Sequence, residues 1–143
     1  MKKKILAVCL AILSISVLAF AGCVSSQKYE KLSSKFSEAK VKASAEEVVT
    51  NINAAKFEAV CGSMTETLKG SLSAEALQKA VSPFLSKAGA FDSFSSETVT
   101  GLLDTKSGQE YATAVVMAKY KNQTVQYTIT FDTDMKMAGI YFK

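Results

Sequence analysis

Beyond residue 44 the hydrophobic positions fall into two rhythms. Up to Gly89 they recur every three or four residues, the period of a helix with one buried face; after it they alternate, the period of a strand. Ser44, with Glu46 and Glu47 behind it, predicts a capped helix start, and Val48, Val49, Ile52 and Ala55 predict its buried face. A break near Lys56 predicts a second helix with Phe57, Val60, Cys61, Met64 and Leu68 inward, ended by Gly70. Ser73 predicts the cap of a third, carrying Ala76, Leu77, Ala80, Val81, Phe84 and Leu85, kinked or broken by Pro83 and closed by Gly89. Strands are then predicted over Ser93–Leu103, Glu110–Lys121, Val125–Phe131 and Met137–Phe142, with turns at Asp104–Gly108, Asn122-Gln123 and Asp132–Asp134. Helices followed by a strand meander predict an α+β domain over 45–143: about three helices on one face of a four-stranded antiparallel sheet.

The first 44 residues follow other rules. Lys2, Lys3 and Lys4 precede an uncharged apolar run from Ile5 to Phe20, and Ala21, Gly22 and Cys23 close it with small residues. That order is a secretory signal, and the run is shorter than the roughly 20 residues that span a bilayer comfortably. Leu18-Ala19-Phe20-Ala21-Gly22-Cys23 resembles a bacterial lipobox, although Phe20 stands where Leu, Ile or Val is usual. The resemblance implies cleavage between Gly22 and Cys23, a diacylglyceryl group on the Cys23 thiol and an acylated (palmitate-type) new amino terminus. Burying acyl chains contributes about 0.8 kcal/mol per methylene, and stable anchoring needs more than one chain. Ala19-Phe20-Ala21 also fits a generic signal-peptidase site, which would release a soluble protein starting at Gly22, and an uncleaved anchor would need a longer apolar span. The expected layout is a lipoprotein signal peptide over 1–22, a lipidated polar tether or spacer helix over 23–44, and the domain over 45–143. Tyr29, Leu32, Phe36, Ala39 and Ala43 give the spacer its helical stripe.

Composition changes this picture little and excludes much. The chain has 143 residues with 17 lysines, no arginine, 13 acidic residues and no histidine. Three lysines belong to the signal, so 14 against 13 remain, a balance of +1. Without arginine or a basic surface, nucleic-acid recognition is not expected. Without histidine there is no Ser-His-Asp triad, Cys-His pair or histidine metal site. Cys61 is the one cysteine left after signal removal and lipidation, so no internal disulfide is expected and a small buried hydrophobe is the ordinary role. Ser25-x-x-Lys28 and Ser37-x-x-Lys40 lack the companion motifs of penicillin-binding enzymes. Asp132-x-Asp134 starts like a calcium loop, but Lys136 follows and no closing Glu does. No cofactor and no metal are expected.

Several stretches resemble a small bacterial domain of unknown function, found on envelope lipoproteins and ahead of some serine α/β-hydrolases. They are Asn53-Ala54-Ala55-Lys56-Phe57-Glu58-Ala59-Val60, Leu72–Leu77, Gly89-Ala90-Phe91, Thr128–Asp132 and Ala138–Phe142. Lys56 stands where that family often has a small acidic or polar residue. The resemblance implies a cystatin-like, nuclear-transport-factor-2-like fold over 45–143, with helices packed in the concave side of a curved sheet, and carries no established activity.

Two functions remain open. One is an extracytoplasmic, membrane-anchored binding or interaction module without catalysis, engaging an unknown protein or small ligand, or a second copy as a homodimer, through a sheet edge or face. The other is a small-ligand enzyme whose pocket lies between helices and sheet, with Tyr111, Tyr127, Tyr141, Glu110 and Asp132 as its acid–base groups, after the fashion of ketosteroid isomerase. In that case two or more of these groups should converge on one cavity.

Overall fold

The structure is a computed structural model and describes residues 27–143; Gly22, Cys23 and the signal lie outside the described residues. In chain order the elements are β1 (Gln27–Glu30), α1 (Glu38–Asn53), α2 (Phe57–Gly62), α3 (Glu66–Ser71), α4 (Ala74–Ala88), β2 (Phe91–Asp104), β3 (Glu110–Tyr120), β4 (Thr124–Phe131) and β5 (Met137–Phe142). The α+β class expected from the periodicities is observed, but the described residues hold five strands rather than four and four helices rather than three. The sheet is antiparallel throughout, in the order β1-β2-β3-β4-β5.

The extra strand comes from the segment predicted to be tether or spacer. Gln27, Lys28, Tyr29 and Glu30 pair with Asp104, Leu103, Leu102 and Gly101 of β2. Leu32 and Phe36 then turn into the core. The helix starts at Glu38 behind a Ser37 cap, not at Ser44. Its buried stripe is Val41, Ala45, Val48, Val49 and Ile52, whereas Ala39 and Ala43 of the predicted stripe face solvent. The 3–4 spacing is real but phased two residues off.

The second predicted helix is two. Between α2 and α3 the backbone leaves the helix to bond with β5: Met137 N–H donates to the Ser63 carbonyl at 2.8 Å, and Thr65 N–H donates to the Met137 carbonyl at 2.9 Å. Thr65 Oγ1 then caps α3 by accepting from Leu68 N–H at 3.2 Å. Pro83, conversely, does not break α4. It sits on the exposed side with Lys79, so the carbonyl it leaves unpaired faces water. Ala76, Ala80 and Phe84, predicted inward, are exposed on the same helix.

Alternation along the central strands decides where the core lies. Ala112, Ala114, Val116 and Ala118 of β3 and Val125, Tyr127, Ile129 and Phe131 of β4 point to the helices and are fully buried or nearly so. The small alanines of β3 leave room for α1, which crosses the sheet over them. The opposite, outer face presents Thr98, Val115, Thr128 and Tyr141 in one cross-strand row, and Ser96, Met117 and Gln126 in the next.

Candidate functional site

The five residues expected to form an acid–base pocket are divided by the sheet. Tyr127 is fully buried on the core face. Its hydroxyl lies 2.9 Å from that of Tyr120, which donates to Asn53 Oδ1 at 2.7 Å. Since the Tyr120 proton goes to Asn53, the Tyr127 proton goes to the Tyr120 oxygen. Burial, reinforced by donation to Tyr120, pushes the Tyr127 hydroxyl far above the ordinary tyrosine range. Burial also raises Tyr120, against the hydrogen bond it accepts from Tyr127, which lowers it. Neither phenol ionises at physiological pH, and both serve as hydrogen-bonding core residues.

Tyr141 lies on the outer face opposite Thr128. Tyr111 is also on the outer face, opposite Leu102, and half-buried; desolvation raises it first, then the charges of Asp104 and Asp132. Asp132 is occupied by its turn, where Oδ1 accepts from Asp134 N–H at 3.0 Å and Lys136 N–H at 2.8 Å. Glu110 forms an ion pair with Lys35, which holds its carboxyl below the usual range. Glu110 and Tyr111 do line a common recess with Ser33 and Gly101, but its volume is about 10 Å³, room for one water at most. Alternation, which sends neighbouring side chains to opposite faces, is what separates Tyr127 from Tyr111 and Tyr141. No cavity of the described residues gathers the five. A wider depression of about 440 Å³, bordered by Phe91, Asp92, Lys119 and Tyr120, opens broadly to solvent.

Two groups escape the sequence reading. Glu46 of α1 and Glu97 of β2 meet at the edge of the core, one Glu97 oxygen buried without a donor. Desolvation, then the hydrogen bond and charge of Glu46, raise the Glu97 carboxyl above its ordinary value against the pull of Lys42. The second is Gly101. A Cβ there would stand 2.5 Å from the Lys31 carbonyl oxygen, so only glycine lets the chain leaving β1 cross the sheet. The alternation of β2 puts Glu97 and Gly101 on the core face, which is the signal that could have found both.

Among the described residues no His, Cys, Asp or Glu cluster could hold a metal, and no helix is long and apolar enough to cross a membrane. Cys61 is half-buried, its thiol raised mainly by desolvation, with Glu58 adding to the shift; this is the environment of an inert cysteine.

The most distinctive surface is the outer sheet face. Ser96, Thr98, Val115, Met117, Gln126, Thr128, Thr130 and Tyr141 form a contiguous area without a formal charge. The face is stitched across β3 and β4 by the Thr113–Thr130 hydroxyl pair, at 3.0 Å. Lys119 and Lys143 stand only at its border.

The family model described as Protein of unknown function (DUF3887) matches residues 45–140. Among solved structures, "NMR structure of protein from Ruminococcus gnavus ATCC 29149" is similar to this chain with 24% identity and a TM-score of 0.70, covering 79% of this chain and 96% of that one. At that identity the likeness speaks for the fold alone. No curated protein matches the chain.

Proposed function

The chain belongs to the family described as Protein of unknown function (DUF3887), and from that footing we propose a lipid-anchored extracytoplasmic interaction module. Cys23 is its acylated first residue, after cleavage between Gly22 and Cys23, and the cystatin-like, nuclear-transport-factor-2-like arrangement implied by the resemblance is its scaffold. Its partner is a protein surface, either a second copy of the chain or another envelope protein, and it performs no catalysis.

The observation that carries this reading is the contrast between the two sides of one sheet. The helix side is filled by packed side chains, with Tyr127, Phe131, Ile52 and Met64 at most 1% exposed. The other side offers an uncharged row of Thr98, Val115, Thr128 and Tyr141, with Tyr141 40% exposed. A sheet side of threonine, valine and tyrosine can be covered without desolvating an ion, which is the largest cost of burying a surface.

The test is quantitative cross-linking in native membranes with the full chain and a Val115→Lys/Thr128→Lys variant. Both substitutions sit on the outer face and leave the core untouched, so the variant should fold and lose its cross-linked products, homodimer included. Identical products from both proteins would sink the reading.

A further inference from the structure

Resting on the proposed acylation of Cys23, we infer that the β1 corner of the sheet lies against the phospholipid headgroups, so that the domain stands on that corner with the opposite end of the sheet away from the bilayer. Little free chain separates the anchor from the sheet. Sequence periodicity predicts a spacer of some twenty residues, but β1 is paired to β2 from Gln27 onward. Only Val24, Ser25 and Ser26 separate it from the anchor. Four Cα–Cα steps span at most about 14 Å even when fully extended. Gln27 therefore cannot leave the interfacial zone, and everything near it is brought to the membrane.

What lies near Gln27 fits that position. Tyr29, Leu102 and Tyr111 form one cross-strand row on the outer face. Tyr29 is 70% exposed. Leu102 is buried yet stands outside the core cluster, between these two rings. Tyrosine has an apolar body and a polar tip, and it is enriched at the level where bilayer and water meet. Gln27 pairs with Asp104, so the β2–β3 turn bearing Lys106 stands beside the point where the leash joins the sheet. Lysine stems there can lie along the interface with their ammonium groups among phosphates. The charges of the corner nearly cancel, Lys28 pairing with Glu30 at 3.2 Å. The short leash and the tyrosine row, rather than bulk positive charge, hold the corner down.

The opposite end of the sheet is far away. β3 runs 11 residues from the Lys106 end to Tyr120, about 34 Å at the usual rise per residue. Lys121, just beyond, is the natural distal reference.

The experiment uses the full-length chain, processed in the host and reconstituted in phosphatidylethanolamine/phosphatidylglycerol vesicles. Spin labels are placed at Lys106→Cys or Lys121→Cys in a Cys61→Ser background. Relaxation by a nickel chelate attached to lipid headgroups is measured. Expected is a several-fold stronger effect at 106 than at 121, persisting at high salt. A 20-residue Gly/Ser insertion between Ser26 and Gln27 should reduce that ratio. Equal relaxation at both positions, in protein whose mass shows the diacylglyceryl group, would overturn the corner-down arrangement and leave the anchor standing. Protein without acyl chains would remove the anchor and the arrangement together.

Discussion

At the scale of residues, the buried phenol pair makes an asymmetric prediction. Tyr127→Phe removes a donor and leaves Tyr120 bonded to Asn53, so the loss should be about 1 kcal/mol. Tyr120→Phe leaves the fully buried Tyr127 hydroxyl and the Asn53 side chain without their partner, so it should cost more, about 1–3 kcal/mol. Urea midpoints of the two variants would order them, and the reverse order would contradict donation from Tyr127 to Tyr120 and from Tyr120 to Asn53. Glu97 gives a pH signature. Its folded-state pKa is raised, mainly by desolvation and then by Glu46, so the protonated form is favoured by folding. That contribution is fully present below the ordinary glutamate range and is lost as pH rises through the raised value. Glu97→Gln should therefore stabilise the protein more at pH 7 than at pH 4, as read by urea denaturation at the two values. Lys42 and Glu46 are the charged groups facing it. Glu110 works in the opposite sense: Lys35 lowers its pKa, and its contribution is present above the ordinary range and lost on acidification. An equal effect of Glu97→Gln at both pH values would refute the assignment.

Among the elements, β1 is the piece the sequence conceals. Its four residues, Gln27-Lys28-Tyr29-Glu30, are polar, exposed and too few to show alternation. The 3–4 spacing of Tyr29, Leu32 and Phe36 therefore reads as helix. What fixes β1 is nonlocal: the room at Gly101 for the Lys31 carbonyl, and Phe36 buried beyond it. Gly101→Ala should push the Lys31 backbone off β2, destabilise the fold by about 1–3 kcal/mol as overpacking does, and raise amide exchange across residues 27–32. Unchanged exchange there would show that the close approach is not what holds the strand. The long strands are legible because sustained alternation leaves few readings; Glu110–Tyr120 and Met137–Phe142 match their expected bounds within a residue. The break at Ser63–Thr65 is not legible, because its cause is Met137, some seventy residues away. Nor is the scatter of the candidate pocket evident from strand assignment alone. Each tyrosine lies on its expected strand, but the opposite parities of Tyr111 and Tyr127 on adjoining strands keep them on different faces.

At the scale of the whole molecule, a one-sided sheet, a filled core and the short leash Val24-Ser25-Ser26 combine into a single arrangement. Helices cover one face; in the proposed arrangement the uncharged face stays open for a partner and the β1 corner meets the headgroups. The proposed membrane contact depends on where the chain becomes covalently attached. The direct test is the mass of the amino-terminal peptide from the mature protein isolated from its native envelope. Expected is a peptide that begins at Cys23 and carries a diacylglyceryl group on sulfur, recovered with the membranes. An unmodified peptide beginning at Gly22, recovered from the medium, would contradict it.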